Sequence, residues 1–62
     1  PYPLTERTYL RLENEMLGIC RACGEERGHT EPDARNYPCA ACEQMEVYGM
    51  EELLARGEIE IT

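Results

Sequence analysis

The chain has 62 residues, no Trp or Phe, four Cys and a formal net charge of −7. A chain this short buries only about 60% of the surface that its unfolded form exposes, so apolar burial alone leaves it marginally stable. We therefore expect one domain over residues 1–62 that needs a metal ion, disulfides or a partner chain for stability. Its thirteen acidic residues against six basic ones disfavour non-specific binding to nucleic acid and suit a protein partner with a basic surface.

The N-terminal part is predicted to be a lead-in followed by a helix. Residues 1–4 contain two prolines, which disfavour helix. Thr5 suits the N-cap position. Apolar residues then recur at helical spacing: Tyr9, Leu12 and Met16. We predict a helix over residues 6–17 with Gly18 as its C-cap, and a strand over residues 9–13 is the alternative.

Two cysteine pairs dominate the middle of the chain, in the spacing C-x2-C-x15-C-x2-C. They are Cys20, Cys23, Cys39 and Cys42. This spacing is typical of structural zinc sites, and we predict that the four thiolates bind one structural Zn2+. Two disulfides, a thioredoxin-like redox pair and a rubredoxin-like iron site are the alternatives. Rubredoxin-like proteins have a longer gap between their cysteine pairs and an aromatic-rich core that includes Trp.

Each cysteine pair is expected to form a tight turn whose backbone amides point at the sulfurs. Gly24 follows the first pair, where a positive φ is often needed. Glu43 occupies the equivalent position after the second pair, so we expect the second turn to be tighter or less regular. Residues 25–36 are polar and are predicted to form a loop or hairpin connection.

The C-terminal part is predicted to contain a strand at residues 46–48, a helix at residues 50–56 and a strand at residues 58–62. Gly49 should open the helix and Gly57 should close it. The apolar residues of this part are expected to be core, with a docking face as the alternative: Met50, Leu53, Leu54, Ile59 and Ile61.

Other polar residues give no catalytic constellation, so we expect no enzyme activity. His29 is predicted to be a solvated loop residue, because four Cys already complete a tetrahedral shell. Arg21 lies between two ligands and is predicted to reduce the negative charge of the metal cluster, with contact to a partner as the alternative. The carboxylate pairs at residues 25–26 and 51–52 are predicted to be exposed.

Residues 20–24 and 36–42 resemble a zinc ribbon. Together with residues 47–49 and 51–54 they also resemble short uncharacterised proteins of bacteriophages and prophages. This resemblance implies a bacterial or phage cytoplasmic protein with a structural zinc and implies no activity. A cytoplasmic location also agrees with the lack of a signal peptide and of an apolar segment of membrane-spanning length.

The predicted fold is a small α+β metal-stapled domain, a monomeric zinc ribbon. It combines two C-x2-C knuckles, an N-terminal helix, a short C-terminal helix and a small antiparallel sheet. The predicted function is a non-enzymatic protein-interaction adaptor or modulator. One alternative is a nucleic-acid-binding zinc ribbon linked to transcription, using Arg21, Arg27 and Arg35. The other is a rubredoxin-like iron electron carrier.

Overall fold

The computed structural model describes residues 2–62, and Pro1 lies outside the described residues. Its fold is of the α+β class. In chain order the elements are β1 (Tyr2–Leu4), α1 (Glu6–Asn14), β2 (Gly18–Cys20), β3 (Glu26–Arg27), β4 (Val47–Tyr48), α2 (Met50–Ala55) and β5 (Ile59–Ile61). Within residues 2–62, neither helix combines the length and the apolar character needed to cross a bilayer.

The N-terminal helix begins as predicted and excludes the alternative strand. The Thr5 side chain accepts a hydrogen bond of 3.1 Å from the backbone N–H of Thr8, which satisfies one of the free donors of the first turn. Glu6 places a negative charge at the positive end of the helix dipole.

The end of α1 differs from the prediction, because the helix stops three residues earlier than expected. Met16 adopts a φ of 58° and takes the left-handed position that ends the helix. The Leu17 N–H then bonds the Leu12 carbonyl at 2.9 Å, and the Met16 N–H bonds the Glu13 carbonyl at 3.2 Å. Met16 therefore leaves the apolar face and is 41% exposed, whereas Tyr9 and Leu12 are buried as predicted.

Gly18 is not the C-cap but a residue of β2, where it permits a close packing contact. A Cβ atom at this position would lie 2.5 Å from Thr30 Cγ2 and 2.6 Å from the Tyr48 carbonyl oxygen. Only Gly fits without displacing one of these neighbours. The prediction of a C-cap at Gly18 is therefore wrong.

The C-terminal helix is confirmed to within one residue. Gly49 is its N-cap, and Gly57 ends it with a φ of 72°. The N–H groups of Gly57 and Glu58 bond the carbonyls of the last turn at 3.1 and 3.0 Å.

The sheet of β3, β2 and β4, in that order, is antiparallel, as predicted. Ile19 pairs with Tyr48 and Cys20 pairs with Val47. Successive side chains of a strand point to opposite faces, so this sheet separates two buried clusters. On one face lies the helical core: Leu4, Tyr9, Leu12, Ile19, Tyr48, Met50, Leu53 and Ile59, with Leu17 packed against it. On the other lies the cysteine cluster: Cys20, Cys39 and Val47, with Tyr37 and Cys42 packed against it.

A second sheet was not foreseen. β1 pairs in parallel with β5, with a 3.0 Å bond from the Tyr2 N–H to the Glu58 carbonyl and a 2.7 Å bond from the Thr62 N–H to the Leu4 carbonyl. In this register the nitrogen of Pro3 faces away from β5, so its missing N–H removes no ladder bond. Residues 2–4 therefore form a strand and not a loose lead-in.

The predicted C-terminal apolar face is only partly core. Met50, Leu53 and Ile59 are buried, whereas Leu54 and Ile61 are 40% and 37% exposed. Leu54 follows Leu53 by about 100° around the helix and so turns away from the core. Ile61 pairs with Leu4 at the far end of the parallel sheet, beyond the packed helices.

Candidate metal centre

The first cysteine pair lies in the turn between β2 and β3. The Gly24 N–H bonds the Cys20 carbonyl at 2.8 Å, and the Cys20 N–H bonds the Glu25 carbonyl at 2.9 Å. Gly24 closes this turn with a φ of 83°, a conformation that Gly reaches at no steric cost. The positive φ predicted at Gly24 is therefore confirmed.

The second cysteine pair lies in an equivalent turn. Two 3.0 Å bonds between Tyr37 and Val47 close its base. The Glu43 N–H bonds the Cys39 carbonyl at 2.8 Å, and the Cys39 N–H bonds the Gln44 carbonyl at 2.9 Å. These distances equal those of the first turn, so the prediction of a tighter or less regular second turn is wrong. The reason is that Glu43 itself adopts a left-handed φ of 64°.

The four sulfurs converge between the two turns. Cys20 Sγ lies 3.6 Å from Cys42 Sγ, and Cys23 Sγ lies 3.5 Å from Cys39 Sγ. All four sulfurs lie within 4.8 Å of one another. Ligand sulfurs at about 2.3 Å from a tetrahedral zinc ion lie about 3.8 Å apart. The predicted ligands are thus at ligand distance, and they fit one tetrahedral metal ion.

Backbone amides point at the sulfurs, as predicted for such turns. The N–H of Glu25 bonds the sulfur of Cys23, and the N–H of Gln44 bonds that of Cys42. The donor is in each case two residues beyond the cysteine. These dipoles favour thiolate over thiol and spread the negative charge of a metal-bound sulfur.

The four thiols differ in acidity. Hydrogen bonds from the backbone N–H groups of Cys42 and Ala41 lower the pKa of the Cys39 thiol to about 7, against desolvation. The N–H of Glu25 acts in the same direction on Cys23, but desolvation and hydrogen bonds with the other sulfurs raise the pKa of its thiol to about 12. Four thiolates at this spacing repel one another, so full ionisation of the cluster requires a cation in its centre.

The four cysteine residues also differ in exposure. Cys20 and Cys39, the first residue of each pair, are 1% and 3% exposed. Cys42 is half-buried and Cys23 is exposed. The space beside Gly24 is open, since a Cβ built there has no neighbour within 4 Å. The first cysteine of each pair is therefore buried, and Cys23 is the most exposed residue of the four.

His29 does not belong to this cluster. It is an exposed loop residue with a φ of 56°, as expected for a residue that is not a ligand.

Arg21 pairs with carboxylates and an aromatic ring. Its Nε lies 2.9 Å from Glu58 Oε1, an Nη lies 3.9 Å from Glu46 Oε2, and its guanidinium lies 4.6 Å from the centre of the Tyr48 ring. Arg56 contacts the same ring at 4.8 Å. The guanidinium is thus part of the packing between β5 and β4, a role that the sequence did not indicate.

Of the two carboxylate pairs, Glu25, Glu26 and Glu51 are exposed, whereas Glu52 is half-buried and binds Arg35 at 3.0 Å and Arg56 at 2.8 Å. The hydrogen bond from Arg56 lowers the pKa of the Glu52 carboxyl. Across the helix pair, a hydrogen bond and the charge of Glu13 raise the pKa of Glu51. The expectation of exposure is therefore right for Glu51 and wrong for Glu52.

Comparison with protein-family models, curated proteins and solved structures gives no match. The resemblance to phage and prophage proteins has no support from these comparisons. Function is therefore inferred from the four clustered cysteines.

Proposed function

We propose that this chain is a zinc-ribbon module in which Cys20, Cys23, Cys39 and Cys42 bind one structural Zn2+. The observation that carries this proposal is the convergence of four sulfurs from two turns of equal backbone geometry. Zinc prefers a tetrahedral shell of soft ligands, and these cysteines supply one. Iron takes the same four thiolates, and the short spacing between the pairs and the Trp-free core favour zinc.

Bound zinc would supply much of the stability of the fold. Structural zinc contributes about 10–16 kcal/mol in small domains near neutral pH. A core of this size supplies about 3–5 kcal/mol. Four protein ligands complete the tetrahedral shell and leave no position for water or substrate, which supports a structural and non-enzymatic role.

Charge supports a protein-interaction role with a basic partner. The net charge is −7, and many carboxylates are exposed, among them Glu25, Glu26 and Glu60. Arg21 and Arg35, which the nucleic-acid alternative needs, are engaged with carboxylates of the same chain. These ion pairs partly neutralise the two guanidinium groups and weaken their attraction for a phosphate backbone. This favours the adaptor function over the nucleic-acid alternative.

Metal analysis tests the zinc site. Protein purified without added metal should contain one zinc per chain by native mass spectrometry. Removal of zinc by a strong chelator should collapse the amide dispersion of the NMR spectrum, and readdition should restore it. One iron per chain would transfer the proposal to electron transfer. Absence of metal together with an unchanged spectrum after chelation would refute it.

Fluorescence anisotropy with labelled duplex DNA and single-stranded RNA tests the nucleic-acid alternative. At low ionic strength the zinc-loaded protein should bind neither probe, because its surface is acidic. The charge-reversed variant Glu25→Lys/Glu26→Lys is the positive control, and it should bind both probes more tightly than the unmodified chain does. Tight, salt-dependent binding by the unmodified chain would favour the nucleic-acid function.

A further inference from the structure

We propose that the metal centre is a peroxide-sensitive switch in which the exposed Cys23 is oxidised first and Cys39 completes a disulfide that releases the metal. This inference rests on the proposed zinc site. It goes beyond that site because it assigns different roles to the two halves of a centre whose backbone is symmetrical.

The two turns differ in the access that they give to a soluble oxidant. Cys23 and Cys42 occupy equivalent positions and receive equivalent backbone bonds. Cys23 is nevertheless exposed and Cys42 half-buried. The residues on either side of Cys23 are exposed as well, and a Cβ built on Gly24 would have no neighbour within 4 Å, so this part of the first turn faces solvent. Oxidation of thiolates follows their exposure, so Cys23 reacts first.

The first step forms a sulfenic acid. The Cys23 sulfur attacks one oxygen of hydrogen peroxide, the O–O bond breaks, and the hydroxide that leaves takes up a proton to become water. The sulfur is oxidised by two electrons and the peroxide is reduced by two. Sulfenic acid carries no thiolate charge, so the metal loses one of its four ligands.

The second step is set by the distances between the sulfurs. Cys39 Sγ is 3.5 Å from Cys23 Sγ. A disulfide requires about 2.05 Å, so a combined movement of about 1.5 Å suffices. The Cys39 thiolate attacks the Cys23 sulfur, the S–O bond breaks, and the departing hydroxide is protonated to water. Two thiolates, one peroxide and two protons thus give one disulfide and two waters.

The product no longer holds the metal. Only Cys20 and Cys42 keep their thiolates, and two ligands do not hold a structural zinc ion.

Zinc release under peroxide tests the proposal. Zinc-loaded protein is treated with hydrogen peroxide, released zinc is followed with a chromogenic chelator, and disulfides are assigned by mass spectrometry of peptides. We expect one zinc released per chain together with a Cys23–Cys39 disulfide. A brief pulse of N-ethylmaleimide on the zinc-loaded protein should label Cys23 before the other three.

A pair of matched variants separates the two turns. Cys23→His and Cys42→His each keep a four-ligand shell, and zinc content is measured before use. Cys23→His should release zinc about tenfold more slowly under peroxide, because no exposed thiolate remains. Cys42→His keeps both Cys23 and Cys39, so it should release zinc about tenfold faster than Cys23→His in the same peroxide assay.

If the untreated protein contains zinc and peroxide does not release it, the proposed switch is overturned and the proposed zinc site is left intact. Uniform labelling of the four cysteines, or a Cys20–Cys23 disulfide, would also overturn it. Absence of zinc from untreated protein would instead refute the zinc site itself. The labelling and disulfide measurements use the unmodified chain, so they decide the question even if a variant fails to fold.

Discussion

Replacement of Glu43 by Gly should stabilise the zinc-loaded protein. Glu43 closes the second turn with a φ of 64°, whereas Gly24 closes the equivalent first turn. The left-handed conformation costs a residue with a side chain roughly 1–2 kcal/mol. Gly avoids this cost but loses about 0.5–1 kcal/mol more conformational entropy on folding. We therefore expect the free energy of unfolding to rise by about 0.5–1 kcal/mol.

The converse substitution, of Gly24 by a residue with a side chain, tests the same backbone conformation in the first turn. A Cβ at Gly24 would meet open space, so Gly24→Ala tests the backbone conformation without a packing clash. It should lower the free energy of unfolding by about 1 kcal/mol. Glu43→Gln is the control for charge, because it keeps a side chain at the left-handed position and removes the carboxylate next to the thiolates.

Thermal and urea unfolding should be measured with free zinc held constant by a buffer, since bound metal shifts apparent stability by mass action. A change of 1 kcal/mol corresponds to about 4–8 °C in a domain of this size. Glu43→Gly should therefore raise the melting temperature by several degrees, and by more than Glu43→Gln. Equal stability of the Gly and Gln variants would refute the backbone argument and assign the effect to charge.

Two further substitutions, Gly18→Ala with its control and Leu12→Ala, test the packing, and Glu51→Gln tests the electrostatics. Gly18→Ala should destabilise by about 1–3 kcal/mol in urea unfolding, because its Cβ meets neighbours at 2.5 and 2.6 Å, whereas Gly28→Ala, with its nearest neighbour at 3.8 Å, should change little. Leu12→Ala should cost about 2–5 kcal/mol and abolish helical circular dichroism at moderate temperature; retention of full stability would contradict its place in the core. Glu51→Gln should raise the melting temperature at pH 7, because the hydrogen bond and charge of Glu13 raise the folded-state pKa of Glu51 above its ordinary 4.5. A raised carboxyl pKa means that stability is lost as pH rises through this window, so the gain should vanish below pH about 4, where both states are protonated.

The metal cluster could be predicted from the sequence because its determinants are local. The backbone hydrogen bonds made by Cys20 and Cys39 within their own turns join residues at most five apart, and the spacing alone suggests two such turns. The prediction that was wrong is the one of a tighter or less regular second turn, which was based on Glu43. A Gly is the usual residue at positive φ, and no local pattern indicates that a Glu adopts the same conformation here.

The end of α1 and the second sheet could not be read from local sequence. Gly18 matches the C-cap pattern as well as any residue, but Gly is required there by Thr30 and Tyr48, which approach from distant parts of the chain. The left-handed position consequently falls on Met16. β1 likewise pairs with the opposite end of the chain, and a short segment with a Pro gives no local indication of such a partner.

The cysteine cluster and the helical core share the same strands, and this would link the proposed metal binding to the whole fold. Ile19 and Cys20 are adjacent in β2, yet Ile19 packs in the helical core and Cys20 lies in the cysteine cluster. In β4, Tyr48 packs in the helical core and its neighbour Val47 lies in the cysteine cluster. Strands of two or three residues do not persist alone, so a displacement of the cysteines must also displace the partners of the core. Loss of zinc, by chelation or by oxidation at Cys23, should therefore unfold both clusters together, and the signals of the helices should disappear at the same chelator concentration as those of the cysteine turns. Helices that outlast the turns would show that the two clusters are independent.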